Sequence, residues 1–395
     1  MKTNWQTKKL GEVCEIINGG TPDTKIAKFW GGEHLWITPK DMGKLDDIYV
    51  DDTGRKITDA GLKNSSAKIL PINSIILSSR APIGHLAINT KKIATNQGCK
   101  GVVPKKGLAT LFLFYFLKNS VELLNSLGSG TTFKELSGSK LAEVPIPLPP
   151  LPEQQRIVAI LDEAFAAIAT AKENAEKNLQ NARELFESYL QSVFDNPGDG
   201  WKEKTLDQVS ITFGRGKSKH RPRNEKTLYG GKYPFIQTGD IRNSNHYITE
   251  YSQTYSEIGL AQSKLWPKGT ICITIAANIA ETGILGFDAC FPDSVIGLVV
   301  NPKIAEMNFV EYLLQSFKAR LQEKGKGSAQ DNLNMGTFEN QLFPIPPLPE
   351  QHSIVSKLDV LSAETKKLEA IYRQKLADLD ELKKSVLHKT FSGEL

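Results

Sequence analysis

Residues 147–163 read PLPPLPEQQRIVAILDE, and residues 344–360 read PIPPLPEQHSIVSKLDV. The offset is 197 residues, about half of the 395-residue chain. Pro149, Pro150, Leu151, Pro152, Glu153 and Gln154 map onto Pro346, Pro347, Leu348, Pro349, Glu350 and Gln351. Weaker matches extend both ways: Trp5, Leu10 and Val13 onto Trp201, Leu206 and Val209, Phe112 onto Phe309, Leu185 onto Leu382, and Phe194 onto Phe391. The chain therefore carries one unit twice, and a repeat of this kind governs every later reading. Each unit is a globular part, a Pro-rich junction and a helix.

The helices follow from spacing. Ile157, Leu161, Ala164, Ile168, Ala171, Ala175, Ala182, Leu185 and Tyr189 form an a/d stripe. Ile354, Leu358, Leu361, Thr365, Leu368, Tyr372, Leu379, Leu382 and Val386 repeat its spacing. No Gly or Pro interrupts 153–195 or 350–392. Proline just before Glu153 and Glu350 suits a helix start, where a missing N–H costs nothing. Forty-odd residues make a helix of about 60 Å. One apolar stripe on so long a helix demands a partner, and the matched stripe supplies it. Spacing leaves the direction open, as well as the alternative that each helix packs on its own domain. Chain topology favours an antiparallel pair, because the first helix leaves domain one and the second starts from domain two. The expected pairing residues are Ile157, Leu161, Ile168 and Leu185 with Ile354, Leu358, Leu361, Leu368, Leu379 and Leu382.

The globular parts read as mixed α/β. Short strands are expected at 35–38, 74–78, 86–88 and 99–103, with a helix over 108–125. The second copy gives 234–237, 270–275, 283–285 and 295–300, with a helix over 305–323. The fold class is α/β (mixed α+β): two tandem globular domains, 1–150 and 197–347, and two long antiparallel coiled-coil helices, 151–196 and 348–395, related by a pseudo-two-fold internal repeat.

Composition narrows the function. Hydrophobic residues make up 40% of the chain and charged residues 24%, which is globular and excludes a disordered chain. Four Cys form no CxxC pair, so neither a disulfide scaffold nor a zinc knuckle is indicated. No apolar run suits a bilayer or a signal peptide, so a cytoplasmic protein without membrane contact is expected. The net charge of +5 is unevenly spread. Residues 1–150 hold 20 Lys+Arg against 13 Asp+Glu, whereas 151–200 hold 4 against 9. Basic globular parts suit a polyanion, and the acidic helix does not.

Catalytic patterns are missing. Gly216-Lys217-Ser218 imitates the end of a phosphate-binding loop, but Ile211 stands where the loop needs glycine. The six His show no metal spacing. Asp41 and Asp240 follow similar apolar runs and read as loop-capping aspartates. Binding chemistry is better represented. Arg215, Lys217, Lys219, Arg221 and Arg223 crowd one Gly- and Pro-containing loop, which can lie along phosphates. Its counterpart in the first half, 18–25, ends in Lys25 and is far less basic. Lys40, Arg55, Lys56 and Arg80 in the first half, and Gln237, Arg242, Asn243 and Asn278 in the second, add side chains suited to phosphates or base edges. Arg80 and Asn278 stand in equivalent turns, SSRAPIG and TIAANIA.

With the duplicated PLPPLPEQQRIVAILDE and PIPPLPEQHSIVSKLDV, the starts W…KKLGEVCEIINGG and WKEKTLDQVSITFGRG, the turn SSRAPIG and the tail LHKTFSGEL, the chain resembles the specificity subunits of type I restriction–modification enzymes over essentially its whole length. The resemblance implies two target-recognition domains, each reading one half of a split, asymmetric site in double-stranded DNA. It implies helices that dock two modification (adenine-N6 methyltransferase) subunits, with restriction subunits joining that core. It implies no active site and no cofactor in this chain, with S-adenosylmethionine, ATP and Mg2+ belonging to the partner subunits. It does not say which residues touch bases. A coiled-coil scaffold whose globular parts bind protein is the competing reading.

Overall fold

The computed structural model describes residues 5–130, 134–219, 222, 224–276, 279–326 and 335–394. The chain divides into two compact units, Met1–Glu176 with Gln374–Leu395, and Lys177–Arg373. Each unit holds one globular domain and part of each long helix.

Both domains are built on one plan. In the first, a five-stranded sheet runs in the order Cys14–Asn18, Cys99–Pro104, Ile75–Ser79, Ile83–Asn89, Tyr49–Val50. In the second, the order is Ser210–Arg215, Val295–Val300, Ile271–Thr274, Thr282–Leu285, Tyr247–Ile248. Every pairing is antiparallel except the last, which is parallel in both copies. The middle strands are aliphatic and buried on both faces, as in Ile75, Ile76 and Leu77. A second ribbon recurs as Trp30–Ile37 with Arg55–Ile57, and as Tyr229–Phe235 with Gln253–Tyr255. A third recurs as Gln6–Lys9 with Pro145–Leu148, and as Lys202–Lys204 with Phe343–Ile345. The expected helix over 108–125 is two, Thr110–Asn119 and Val121–Leu127, and the expected helix over 305–323 is Met307–Lys326.

The junction repeats because its glutamine does the same work twice. Gln154 is fully buried. Its Oε1 accepts from the Ala109 N–H at 2.8 Å, and its Nε2 donates to the carbonyls of Gly107 and Pro149, both at 2.9 Å. Gln351 accepts from the Glu306 N–H at 2.8 Å and donates to Pro346 at 2.8 Å and Ile304 at 3.2 Å. Further along each helix, the Tyr115 hydroxyl donates to Asp162 at 2.5 Å and the Tyr312 hydroxyl to Asp359 at 2.7 Å. These bonds fix each long helix to its own domain. Gln154→Ala is expected to cost about 2–3 kcal/mol, because it strands several buried backbone groups. Urea unfolding of the full chain measures it, and a loss below about 0.5 kcal/mol would show the bonds to be dispensable.

The long helices span Leu151–Asp195 and Leu348–Ser392. Within the first unit their direction is antiparallel: Lys383 lies over the Phe165 ring, and Lys172 binds Asp380 at 2.7 Å. Phe391 closes this unit edge-on against Phe112 and Phe116. In the second unit Arg183 binds Glu369 at 3.1 Å. Ile157, Leu161, Ile168 and Leu358 are buried, and Ile354, Leu361 and Leu379 are half-buried. Three expected pairing residues are corrected. Leu185, Leu368 and Leu382 are 52%, 37% and 48% exposed. A helix of 3.6 residues per turn drifts about 20° per heptad from a strict 3.5 repeat. After Ala182 the inner face of the first helix therefore passes to Phe186 and Leu190. In the second helix Leu358, Ser362 and Thr365 are buried, and the inner face then passes to the half-buried Glu369 and Tyr372, which leaves Leu368 outward. Thr365 satisfies its hydroxyl on the Leu361 carbonyl at 2.9 Å.

The second domain alone, among the described residues, carries a buried ion pair. Glu311, on the helix Met307–Lys326, has no exposed surface, and its Oε2 lies 2.7 Å from His246 Nδ1. Thr282 and Gln315 donate to Glu311 Oε1 at 2.8 and 2.7 Å. The Tyr312 ring stacks on the imidazole. His246 takes the left-handed φ of +76°, which aims its ring inward from the end of a loop.

Candidate nucleic-acid interface

In the first domain the loop Gly19–Lys25 leaves the edge strand of the five-stranded sheet. Gly19 donates to the Cys99 carbonyl at 3.2 Å and Gly20 to Thr95 at 2.9 Å. A Cβ at Gly19 would lie 1.9 Å from the Asn96 carbonyl, so only glycine permits this approach. Thr21 Oγ1 binds Gln97 Oε1. The Trp36 indole donates to the Gly20 carbonyl at 2.9 Å. Loops 19–22 and 95–98 thus form one ridge, with Lys25 exposed on it.

Three expected residues join this ridge. Arg55 covers the Trp36 and Trp30 rings at 4.6 and 5.4 Å from its guanidinium. Lys40 is exposed on the short helix Pro39–Met42, which is opened by a capping box of Thr38 and Asp41. Arg80 packs beside Gly98 and Pro39, with Nη1 3.6 Å from Glu135. Lys56 binds Asp52 at 3.1 Å.

In the second domain the basic loop is ordered by its small residues. Gly216 donates to the Val295 carbonyl at 2.9 Å, and Ser263 donates to the Lys217 carbonyl at 2.8 Å. Gly216 and Ser218 face inward, so Arg215, Lys217 and Lys219 alternate outward. Lys264 joins them, its Nζ 3.5 Å from the Trp266 ring centroid. Burial first, and then the Lys217 charge, hold the Lys264 ammonium below the usual lysine range. Gln237 is committed elsewhere: its N–H donates to Asp240 at 2.8 Å and its side chain to Gln253 at 3.1 Å. Asp240 caps the helix Thr238–Asn243 as Asp41 caps its counterpart. Arg242 lines a cavity of about 540 Å3 with Phe186, Leu190 and His246, apart from the basic loop. Asn243 is exposed in a neighbouring hollow with Tyr247 and Tyr251. Arg221, Arg223 and Asn278 lie outside the described residues.

Sequence reasoning missed Lys100, Glu135, Lys264 and the paired tryptophans. A lysine inside the apolar strand Cys99–Pro104 was the one local signal for Lys100.

All four cysteines are buried, and burial raises the Cys14 and Cys99 thiols to about 12, so neither is a thiolate near neutrality. Among the described residues no group of three or more His, Cys, Asp or Glu is placed to hold a metal. No helix among them is long and apolar enough to cross a membrane.

The model of the type I restriction modification DNA specificity domain fits residues 2–179 and again residues 198–376. The specificity subunit of the type I restriction enzyme MjaIX from Methanocaldococcus jannaschii is 30% identical over 381 residues, which is 90% of this chain and 87% of that protein. The EcoR124I/EcoR124II specificity subunit from Escherichia coli is 30% identical over 203 residues, 50% of this chain and 49% of that one. Two solved structures share the fold. One is a chain from a type I R-M system studied for complex assembly and conformational transition (TM-score 0.78, 21% identity, 99% of this chain and 98% of that chain). The other is the HsdS subunit from Thermoanaerobacter tengcongensis (TM-score 0.66, 20% identity, 100% and 98%).

Proposed function

The chain belongs to the type I restriction modification DNA specificity family and is a non-catalytic, sequence-specific DNA-binding subunit, and from that premise we propose that each domain reads one half of a split, asymmetric site. The observation that carries this reading is the same sheet order built twice, with the loop that leaves the equivalent edge strand changed from Gly19–Lys25 to the basic Gly216–Lys219. Equal scaffolds with unlike loops suit two readers of unlike sequences. Linking two readers in one chain raises affinity through effective concentration.

The long helices are then the docking surface for two modification subunits, with restriction subunits added to that core. S-adenosylmethionine, ATP and Mg2+ belong to those partners, and the methyl acceptor is an adenine N6. The complex works in the cytoplasm, where unmodified DNA arrives.

Mapping methylated adenines in cells that carry this chain with its modification subunit tests the reading. The expected result is one bipartite motif with a fixed spacer that disappears when this chain is deleted. Methylation that does not depend on the chain, together with no shift of DNA by the assembled complex, would favour a protein-binding scaffold instead.

A further inference from the structure

Arg80 is half-buried and so differs from the exposed cations of the first domain. It stands on a turn where the next residue, Ala81, takes a left-handed φ of +51°. The turn is pinned by the Ser79 N–H on the Gly98 carbonyl at 2.7 Å and the Leu136 N–H on the Ser79 carbonyl at 2.9 Å. The arginine stem lies over Gly98. A Cβ there would meet Arg80 Nε at 3.1 Å and Arg80 Cγ at 3.3 Å, so the missing side chain is the stem's bed.

Beyond the stem stands Glu135, held by two backbone bonds with Ser129. Its carboxylate lies 3.6 Å from Arg80 Nη1 and 3.8 Å from Lys100 Nζ. Lys100 has a side chain only 8% exposed, and burial holds its ammonium below the usual lysine range. One carboxylate therefore faces two cations, neither within hydrogen-bond distance. It orients Arg80 without saturating it. Among the described residues the guanidinium makes no hydrogen bond.

We propose that Arg80, positioned by Glu135 and Gly98, reads a guanine in the half-site of the first domain. This rests on the reading of the chain as a DNA specificity subunit and adds one base to it. A guanidinium fork matches the paired acceptors O6 and N7 of guanine in the major groove, and no other base offers that pair. A phosphate contact needs only charge, and long exposed side chains such as those of Lys25 and Lys40 supply it. Arg80 is recessed, pre-set in direction and flanked by a carboxylate that repels phosphate. Those features suit a base edge. Glu135 is a positioning residue, since it acts through the arginine.

The test uses the full chain with its modification subunit and reads the methylation motif across a genome. With Arg80→Ala, one G·C position in one half-site should lose its preference by about tenfold to hundredfold. The other half-site and the spacer should stay as they are. Arg80→Lys should not rescue the position, because an ammonium cannot present the fork. Glu135→Gln should soften the same position. An unchanged motif, a relaxed A·T position, or a uniform fall in methylation with the motif kept would each overturn the proposal. Should Arg80→Ala lose all methylation through misfolding, Glu135→Gln and Arg80→Lys decide, and wild-type discrimination in both would overturn it. A wild-type chain that gives no bipartite motif overturns the reading beneath it, and this inference with it.

Discussion

Glu311→Ala is expected to destabilise the second unit by about 3–5 kcal/mol, the usual cost of leaving one member of a buried ion pair alone. His246 is then left charged or desolvated at the base of the sheet. Thr282 and Gln315 lose their acceptor at the same time. For a unit of this size each kcal/mol moves the melting temperature by about 2–4 °C. The unit's melting transition should therefore fall by roughly 6–20 °C, and the transition of the first unit, which has no such pair among its described residues, should stay. A shift below about 2 °C would mean that water reaches the pair. Replacing both members with apolar residues should recover most of the loss, because the desolvation cost vanishes with the charges.

The same pair sets a pH dependence. Burial pulls the His246 imidazolium down, but Glu311, Asn308 and the field of Asp359 together raise it above the ordinary histidine value. A raised folded-state value means that protonation favours the fold. Its contribution is complete below the unfolded value of about 6.5 and fades as pH rises through the higher folded value. Melting of the second unit should therefore be highest on the acid side of that window. Removing His246 should flatten the dependence.

The second large effect is on DNA binding. Neutralising Lys217, Lys219, Arg221 and Arg223 together should weaken binding by the assembled complex at all sequences. It should also lower the slope of log affinity against log salt by up to about 3.6, near 0.9 for each phosphate that is no longer neutralised. Lys217 and Lys219 alone should account for about half of that. The motif should keep its sequence, since charged groups on phosphates position the protein and do not read bases. Titration at several salt concentrations checks this. Equal affinity and equal slope would show that the loop meets no DNA. The effect separates cleanly from that of Arg80, where sequence preference changes at one position and the salt slope barely moves.

Much of the architecture was legible in residues that act locally. The a/d stripe placed both helices, because helical spacing is set by the backbone and not by the surroundings. It misplaced Leu185, Leu368 and Leu382, since a small angular drift accumulates along a 45-residue helix and no single step reveals it. Asp41 and Asp240 read correctly as caps, because a capping box spans only a few residues. The glutamine in each PEQ was visible as a repeat, yet its purpose appeared only with the backbone groups 45 to 47 residues upstream bonded to it.

The site was legible only as a set of residue types. Lys25, Lys40, Arg55 and Arg80 lie in separate stretches, and nothing in their spacing tells which of them is held by a partner. Arg80 and Glu135 are 55 residues apart, and His246 and Glu311 are 65 apart. Alone, the sequence determined that one unit occurs twice and that each copy ends in a long amphipathic helix. Those facts follow from periodicity and composition, which neighbours along the chain express. Tertiary structure alone decided which cations lie against Asp52 or on tryptophan rings and which one faces Glu135. It also decided that a buried histidine meets a buried glutamate. Electrostatic partnership depends on distance through space and on the loss of water, and neither is written in order along the chain.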